Sequence, residues 1–255
     1  MKVAAQIIVL LALSTALRVQ SHAQDKRALI VMTSTGANPT SGAVVGYDVR
    51  EVIQPYYVLL QAGWTVDFAS PQGGEAPKYV PSIDMEDKRV RFYVEDDTIL
   101  QQQLKHSIRS KDVDPAKYDA VIFAGGGGAL WDFRTDQALG RIAAAIFGKR
   151  GILATIGEGA AVLLHTTLTN GVPVYRGIRL TCATDEELAA TLGGGSAPVS
   201  LETAFREGAA IHFKSDPFKP NTVVEHRLIT GQNSASSVGV AQAVNAKWNE
   251  LSAGN

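Results

Sequence analysis

Three short segments carry side chains or turns whose types and spacing suit chemistry. The first is Glu51, early in a helical pattern that follows a Gly-, Ser- and Thr-rich loop at 33–46. The second is the run Gly125-Gly126-Gly127-Gly128, directly after the apolar stretch "YDAVIFA". The third is "ATIGEGAAVLL", residues 154–164, where a buried strand meets a small-residue helix. A strand, a sharp turn and a helix form the usual seat of an activated nucleophile. Here the apex is Gly157, which has no side chain, followed by Glu158 and Gly159.

Carboxylates that share a pocket raise one another's pKa, so one can hold a proton while its neighbour stays ionised. Such a pair is a general acid and base. Glu51, Glu158 and Asp185 are the candidates, and the chemistry would be hydration, dehydration or isomerisation of a small carbonyl compound. The same carboxylates could instead hold a hard cation such as Ca²⁺. The reading adopted assigns no metal and no cofactor. Taken singly, Glu158 is also a plain helix-start carboxylate. The glycine run lacks the Lys-Ser/Thr of a phosphate loop and does not fit the dinucleotide fingerprint. Its expected role is a tight turn that points backbone N–H groups at a developing oxyanion.

These segments need a scaffold. "ALIVM" (28–32) reads as a strand buried on both faces, and "WTVDFAS" (64–70), "YDAVIFA" and "GILATIG" as further strands. Between them, helices are expected over "YDVREVIQPYYVLLQAG", residues 98–109, "TDQALGRIAAAIFGKR" and "GAAVLLHTT". Pro55 implies a kink or an offset start in the first of these. Thr135 or Asp136 should cap the third. Farther on, "VPVYRGIRLTC", "AAIHF" and "TVVEHRLITGQ" read as strands and "SSVGVAQAVNAKWNEL" as a terminal helix. Alternating strands and helices give an α/β fold, a flavodoxin-like doubly wound and mostly parallel sheet with helices on both faces. The 255 residues, 45% hydrophobic, fit a single domain over 24–255. In such sheets the site lies beyond the carboxyl ends of the strands, where all three segments converge.

Composition limits the partners. The formal net charge is −1 and no basic stripe is present, which argues against nucleic acid. Residues 1–23 read as a signal peptide, with Lys2, an apolar run from Val3 to Leu17, and Ser21-His22-Ala23 before the cut. The run is shorter than the ~20 residues that span a bilayer. The expectation is a secreted or periplasmic protein with no membrane attachment after cleavage. Cys182 is the single cysteine. It reads as a small buried hydrophobe near a strand end, with a relocated nucleophile as the alternative. The histidines lie in unrelated segments and read as surface or packing groups.

The segments also carry a resemblance. "EVIQPYYVLLQAGWTVDFASPQGGEAP", "YDAVIFAGGGGALWDF", "ATIGEGAAVLL", "RLTCATDEE" and "LITGQNSASS" resemble the ThiJ/PfpI branch of the class I glutamine amidotransferase-like superfamily. They are most similar to its heat-shock glyoxalase and deglycase group. The resemblance implies that Gly157 stands where the family has its cysteine nucleophile, Glu158 where it has histidine, and Gly127 where its GGHG segment has histidine. Glu51 matches the family's thiol-bonding acid, and Asp185 falls near its triad acid. The acids are kept while the thiol and bases are gone. Activities that need the thiol are therefore expected to be absent. Two readings remain: a carboxylate acid/base enzyme, and a non-catalytic relative that binds a small molecule or partner. Gly126, Gly127, Gly128, Gly157 and Gly159 would line the ligand pocket, with Trp131 and Tyr47 as further candidates. A homodimer is also implied.

Overall fold

The computed structural model describes residues 26–192 and 196–254. The proposed signal peptide lies outside the described residues, as does 193–195 within the "LGGGSAP" loop.

Seven strands form the main sheet, in the order Thr222–Glu225, Leu228–Gly231, Ile152–Ile156, Ala120–Phe123, Arg27–Val31, Thr65–Ser70 and Ile108–Arg109. All neighbours run parallel except the first two, which form an antiparallel hairpin. Across the centre, Ile30 pairs with both Phe68 and Ile122, and Ala154 with both Ile122 and Ile229.

The apolar runs are continuous because both faces are covered. Ala28, Ile30 and Met32 pack on one side with Val49, Val52, Ile53, Val240 and Val244. Leu29 and Val31 pack on the other with Leu139, Ile142 and Ile146. Helices Val49–Gln61 and Ser237–Ala253 thus cover one face, and Gln137–Gly148 the other. Asp136, not Thr135, caps the last, accepting the N–H groups of Ala138 and Leu139.

Several local expectations change. Pro55 lies within Val49–Gln61, and the helix runs through it. Pro55 has no N–H to offer the carbonyl of Glu51, four residues earlier. The expected helix over 98–109 ends at Leu104, and the chain becomes an edge strand at Ile108–Arg109. The segment after strand Ile152–Ile156 is a 3-10 helix, Gly157–His165, rather than an α-helix. In the last third only Arg179–Leu180 and Ile211–His212 pair as short strands before the hairpin. Helices also form at Lys88–Glu95, Asp185–Thr191 and Leu201–Glu207.

Candidate active site

The strand Ile152–Ile156 delivers the chain to Gly157, whose φ is +52°. That left-handed conformation suits glycine and strains other residues. A Cβ on Gly157 would lie 3.1 Å from Glu51 Oε1. Only that flexible carboxylate crowds the position. The neighbouring glycines differ. A Cβ on Gly126 would overlap the Gly46 carbonyl, on Gly128 the Thr35 carbonyl, and on Gly159 the Phe123 carbonyl. These three are glycine because backbone passes against them. At Gly127 a Cβ would meet only the side chains of Leu192 and Val45, at 3.0 and 3.1 Å.

The glycine turn holds the two glutamates. Gly125 N–H donates to Glu51 Oε2 at 2.6 Å, and Gly126 N–H to Glu158 Oε2 at 3.0 Å. Both oxygens lie 2.7 Å from the point a Gly125 Cβ would occupy, so the carboxyls converge over that glycine. The turn therefore does not offer these two N–H groups to an oxyanion, contrary to expectation, because the carboxylates have taken them. Glu51 Oε1 and Glu158 Oε1 accept no hydrogen bond from another described residue.

Both carboxyls are buried, Glu51 with 2% and Glu158 with 8% of its surface exposed. Burial pushes the Glu51 pKa well up, and the charges of Asp48 and Glu158 add to this. Burial raises Glu158 too, opposed by the N–H groups of Gly126 and of Glu158 itself. Glu158 accepts two backbone N–H groups and Glu51 one, which favours the ionised form at Glu158 and the proton at Glu51.

The two line a cavity of about 80 Å³ with Asp48, Arg50, Gly126, Gly127, Glu187 and Asn233 among its other walls. Asp48 caps helix Val49–Gln61 and binds Arg50, with Nη2 at 3.1 Å from Oδ2. Sequence reasoning passed over Glu187. Its Oε1 accepts from Phe218 N–H (2.7 Å), Asn233 Nδ2 (2.7 Å) and Gln232 Nε2 (3.2 Å). Its Oε2 accepts from Thr184 N–H and Oγ1, completing a capping box. The Thr184-x-x-Glu187 spacing was the available signal.

Several expected pocket residues lie elsewhere. Asp185 is exposed at the start of its helix, where its Oδ2 accepts from Ser200 Oγ, and it does not line the cavity. Trp131 packs against the core and does not line the cavity. Tyr47 faces a different cavity, with Glu75, Lys78 and Tyr93. Gly128 and Gly159 serve backbone packing rather than the pocket wall.

Cys182 is buried, and its Sγ lies 3.5 Å from His212 Nε2. His212 Nδ1 lies 3.8 Å from Glu202 Oε1, which also accepts from Lys214 Nζ at 3.0 Å. His212 is therefore tied to the thiol, which its place in the sequence did not suggest. Burial and the nearby carboxylates raise the thiol pKa well up, while burial lowers that of His212. The resting pair is a neutral thiol and a neutral imidazole, outside the cavity. Among the described residues no group of three or more His, Cys, Asp or Glu could hold a metal ion. No described helix is long and apolar enough to cross a membrane.

Comparison with known proteins places this geometry. The chain is 28% identical over 233 residues to "Glyoxalase 3" of Candida albicans, covering 86% of this chain and 98% of that protein. It is 25% identical over 202 residues to "Glutamine amidotransferase-like class 1 domain-containing protein 1" of Bos taurus, covering 79% and 88%. The crystal structure of the 24 kDa Rapid Encystment Protein of Francisella tularensis superposes with a TM-score of 0.80 at 29% identity, covering 87% and 98%. The model of the DJ-1/PfpI family matches residues 44–243, and the chain belongs to that family.

Proposed function

We propose that this chain is an acid/base enzyme of the family, of lyase, hydratase or isomerase type, acting on a small carbonyl compound without a cysteine nucleophile. One observation carries the reading. Glu51 and Glu158 are each held by one oxygen on successive N–H groups of the glycine turn, and both line the same small cavity. Glu51 holds the proton and serves as acid; Glu158 is the more readily ionised and serves as base. No covalent intermediate is required. The positive φ of Gly157, and a Cβ position crowded only by the side chain of Glu51, support the reading that this turn is a nucleophile elbow without its thiol. The name of the Candida relative supports a small carbonyl substrate. Cys182, buried outside the cavity with a raised pKa, is poorly suited to replace the thiol. Export through cleavage after Ala23 belongs to the same proposal, and the intact mass of the secreted chain tests it.

The test is turnover of small carbonyl compounds, followed by NMR, in wild type, Glu51→Gln and Cys182→Ala. Acid/base participation is worth about 10²–10⁴-fold. Glu51→Gln should lose at least ~100-fold, while Cys182→Ala stays within a few-fold of wild type. Activity that disappears with Cys182 and survives in Glu51→Gln would overturn the proposal. The non-catalytic reading draws on one observation, that Gly125 and Gly126 N–H groups are already occupied. Absence of turnover in the wild type would favour it.

A further inference from the structure

The charges and hydrogen-bonding groups of the cavity narrow its substrate class, an inference that rests on the acid/base reading above. Four carboxylates line the cavity: Asp48, Glu51, Glu158 and Glu187. Arg50 is the one cationic residue among the lining residues. Its Nε and Nη2 are directed at Asp48 Oδ1 and Oδ2. A substrate carboxylate or phosphate would find no free counter-charge and would face the buried glutamates. An unpaired charge in such a place is strongly disfavoured.

Glu187 already accepts from five donors. Glu51 is 98% buried by its 2% exposure and has one oxygen, Oε1, with no partner among the described residues. Glu158 Oε1 likewise accepts nothing from another described residue. Between them the two groups present one acidic O–H and one or more acceptor oxygens. A ligand that satisfies both must accept one bond and donate another within the span of two carboxyls that converge over Gly125. An α-dicarbonyl offers acceptors only. An α-hydroxycarbonyl offers a carbonyl oxygen to the acid and a hydroxyl hydrogen to the carboxylate. The cavity of about 80 Å³ favours a ligand of a few heavy atoms, against the ~150 Å³ of a cavity that holds benzene.

We infer that the substrate is a neutral α-hydroxycarbonyl of two or three carbons, isomerised through an enediol held between Glu51 and Glu158. Glu158, ionised, removes the C–H proton from the hydroxyl-bearing carbon, and the C–H pair becomes the enediol double bond. Glu51, protonated, gives its proton to the carbonyl oxygen. Glu51 then takes the proton of the original hydroxyl, that oxygen becomes a carbonyl, and Glu158 returns its proton to the other carbon. Both residues end as they began, and no oxidant, reductant or co-reactant is needed. Glycolaldehyde, whose two carbons exchange roles, and the dihydroxyacetone–glyceraldehyde pair are the minimal probes.

The experiment incubates the full chain in D₂O with glycolaldehyde, dihydroxyacetone, methylglyoxal or pyruvate and follows each by ¹H NMR. Expected are protein-dependent deuterium uptake beside the carbonyl of the first two and conversion of dihydroxyacetone to glyceraldehyde. Methylglyoxal should react at least ~10-fold more slowly and pyruvate not at all. Glu158→Gln and Glu51→Gln should each slow exchange by at least ~100-fold. Turnover of methylglyoxal or pyruvate but of neither hydroxycarbonyl, still lost in Glu51→Gln, would overturn this inference and leave acid/base catalysis standing. Absence of turnover on every compound, or turnover indifferent to both glutamate variants, would overturn both. The ranking of the four compounds uses wild-type protein alone, so it decides the substrate class even where a variant fails to fold.

Discussion

Gly157→Ala isolates the strain that glycine avoids at the turn after strand Ile152–Ile156. The residue sits at φ +52°, where an L side chain costs roughly 1–2 kcal/mol. The new Cβ would also lie 3.1 Å from Glu51 Oε1, close enough that the carboxylate must shift by a few tenths of an ångström. Against this, replacing glycine restricts the unfolded chain and favours folding by ~0.4–1 kcal/mol. Gly148→Ala supplies the control. Gly148 ends helix Gln137–Gly148, is exposed, has no positive φ, and a Cβ there meets nothing within 4 Å. Both variants change the unfolded state alike, so their difference reports the folded-state cost. Urea unfolding should place Gly157→Ala about 1–2 kcal/mol below Gly148→Ala, with unchanged m-values. Equal stability, or a more stable Gly157→Ala, would refute the strained-turn geometry.

Other outcomes follow from the same contacts. Glu187→Leu leaves the Phe218 and Thr184 N–H groups and the side chains of Asn233, Gln232 and Thr184 without their acceptor. It should cost at least ~3 kcal/mol, a fall in Tm of about 6–12 °C by calorimetry; a loss under ~1 kcal/mol would contradict its role as the tie between pocket walls. Asp132 accepts from Thr33 Oγ1 and Ser34 N–H through Oδ2, while its Oδ1 is buried without a partner. Burial raises its pKa from 3.8 to about 6. The folded pKa lies above the unfolded one, so its stabilising share is complete below ~4 and is lost as pH rises through about 6. That share amounts to about 3 kcal/mol, and Asp132→Asn should flatten the fall in stability between pH 4 and 7.5 by that order. An unchanged pH profile in the variant would remove Asp132 from the account.

The sheet was readable because its central strands are buried on both faces, so "ALIVM" is an unbroken apolar run and "GILATIG" is interrupted only by Thr155. The elbow and glycine turn were readable from their small residues, and Glu51 and Glu158 do meet there. Orientation was less legible. Asp185 and Glu187 are two residues apart on one helix, about 200° around its axis, so one faces solvent and the other the cavity. The proximity of "TDEE" to the pocket was visible, but which acid turned inward was decided by packing against Phe218, Gln232 and Asn233. Tyr47 adjoins the pocket residue Asp48, yet as a strand neighbour it points to the opposite side. Edge strands of two residues, such as Ile108–Arg109, are too short to show a period, and a helix was expected there. The bond between Cys182 and His212 joins residues 30 apart through tertiary packing alone.

The central claim is that Glu51 and Glu158 form a pair in which one carboxyl keeps its proton at neutral pH. A pH titration of ¹³Cδ-labelled glutamates by NMR, in wild type and Glu51→Gln, tests it most directly. The expected result is a carboxyl resonance still in its protonated position well above the ordinary ~4.3, absent from Glu51→Gln. All glutamates titrating at or below the ordinary value, with spectra that Glu51→Gln leaves otherwise unchanged, would contradict it.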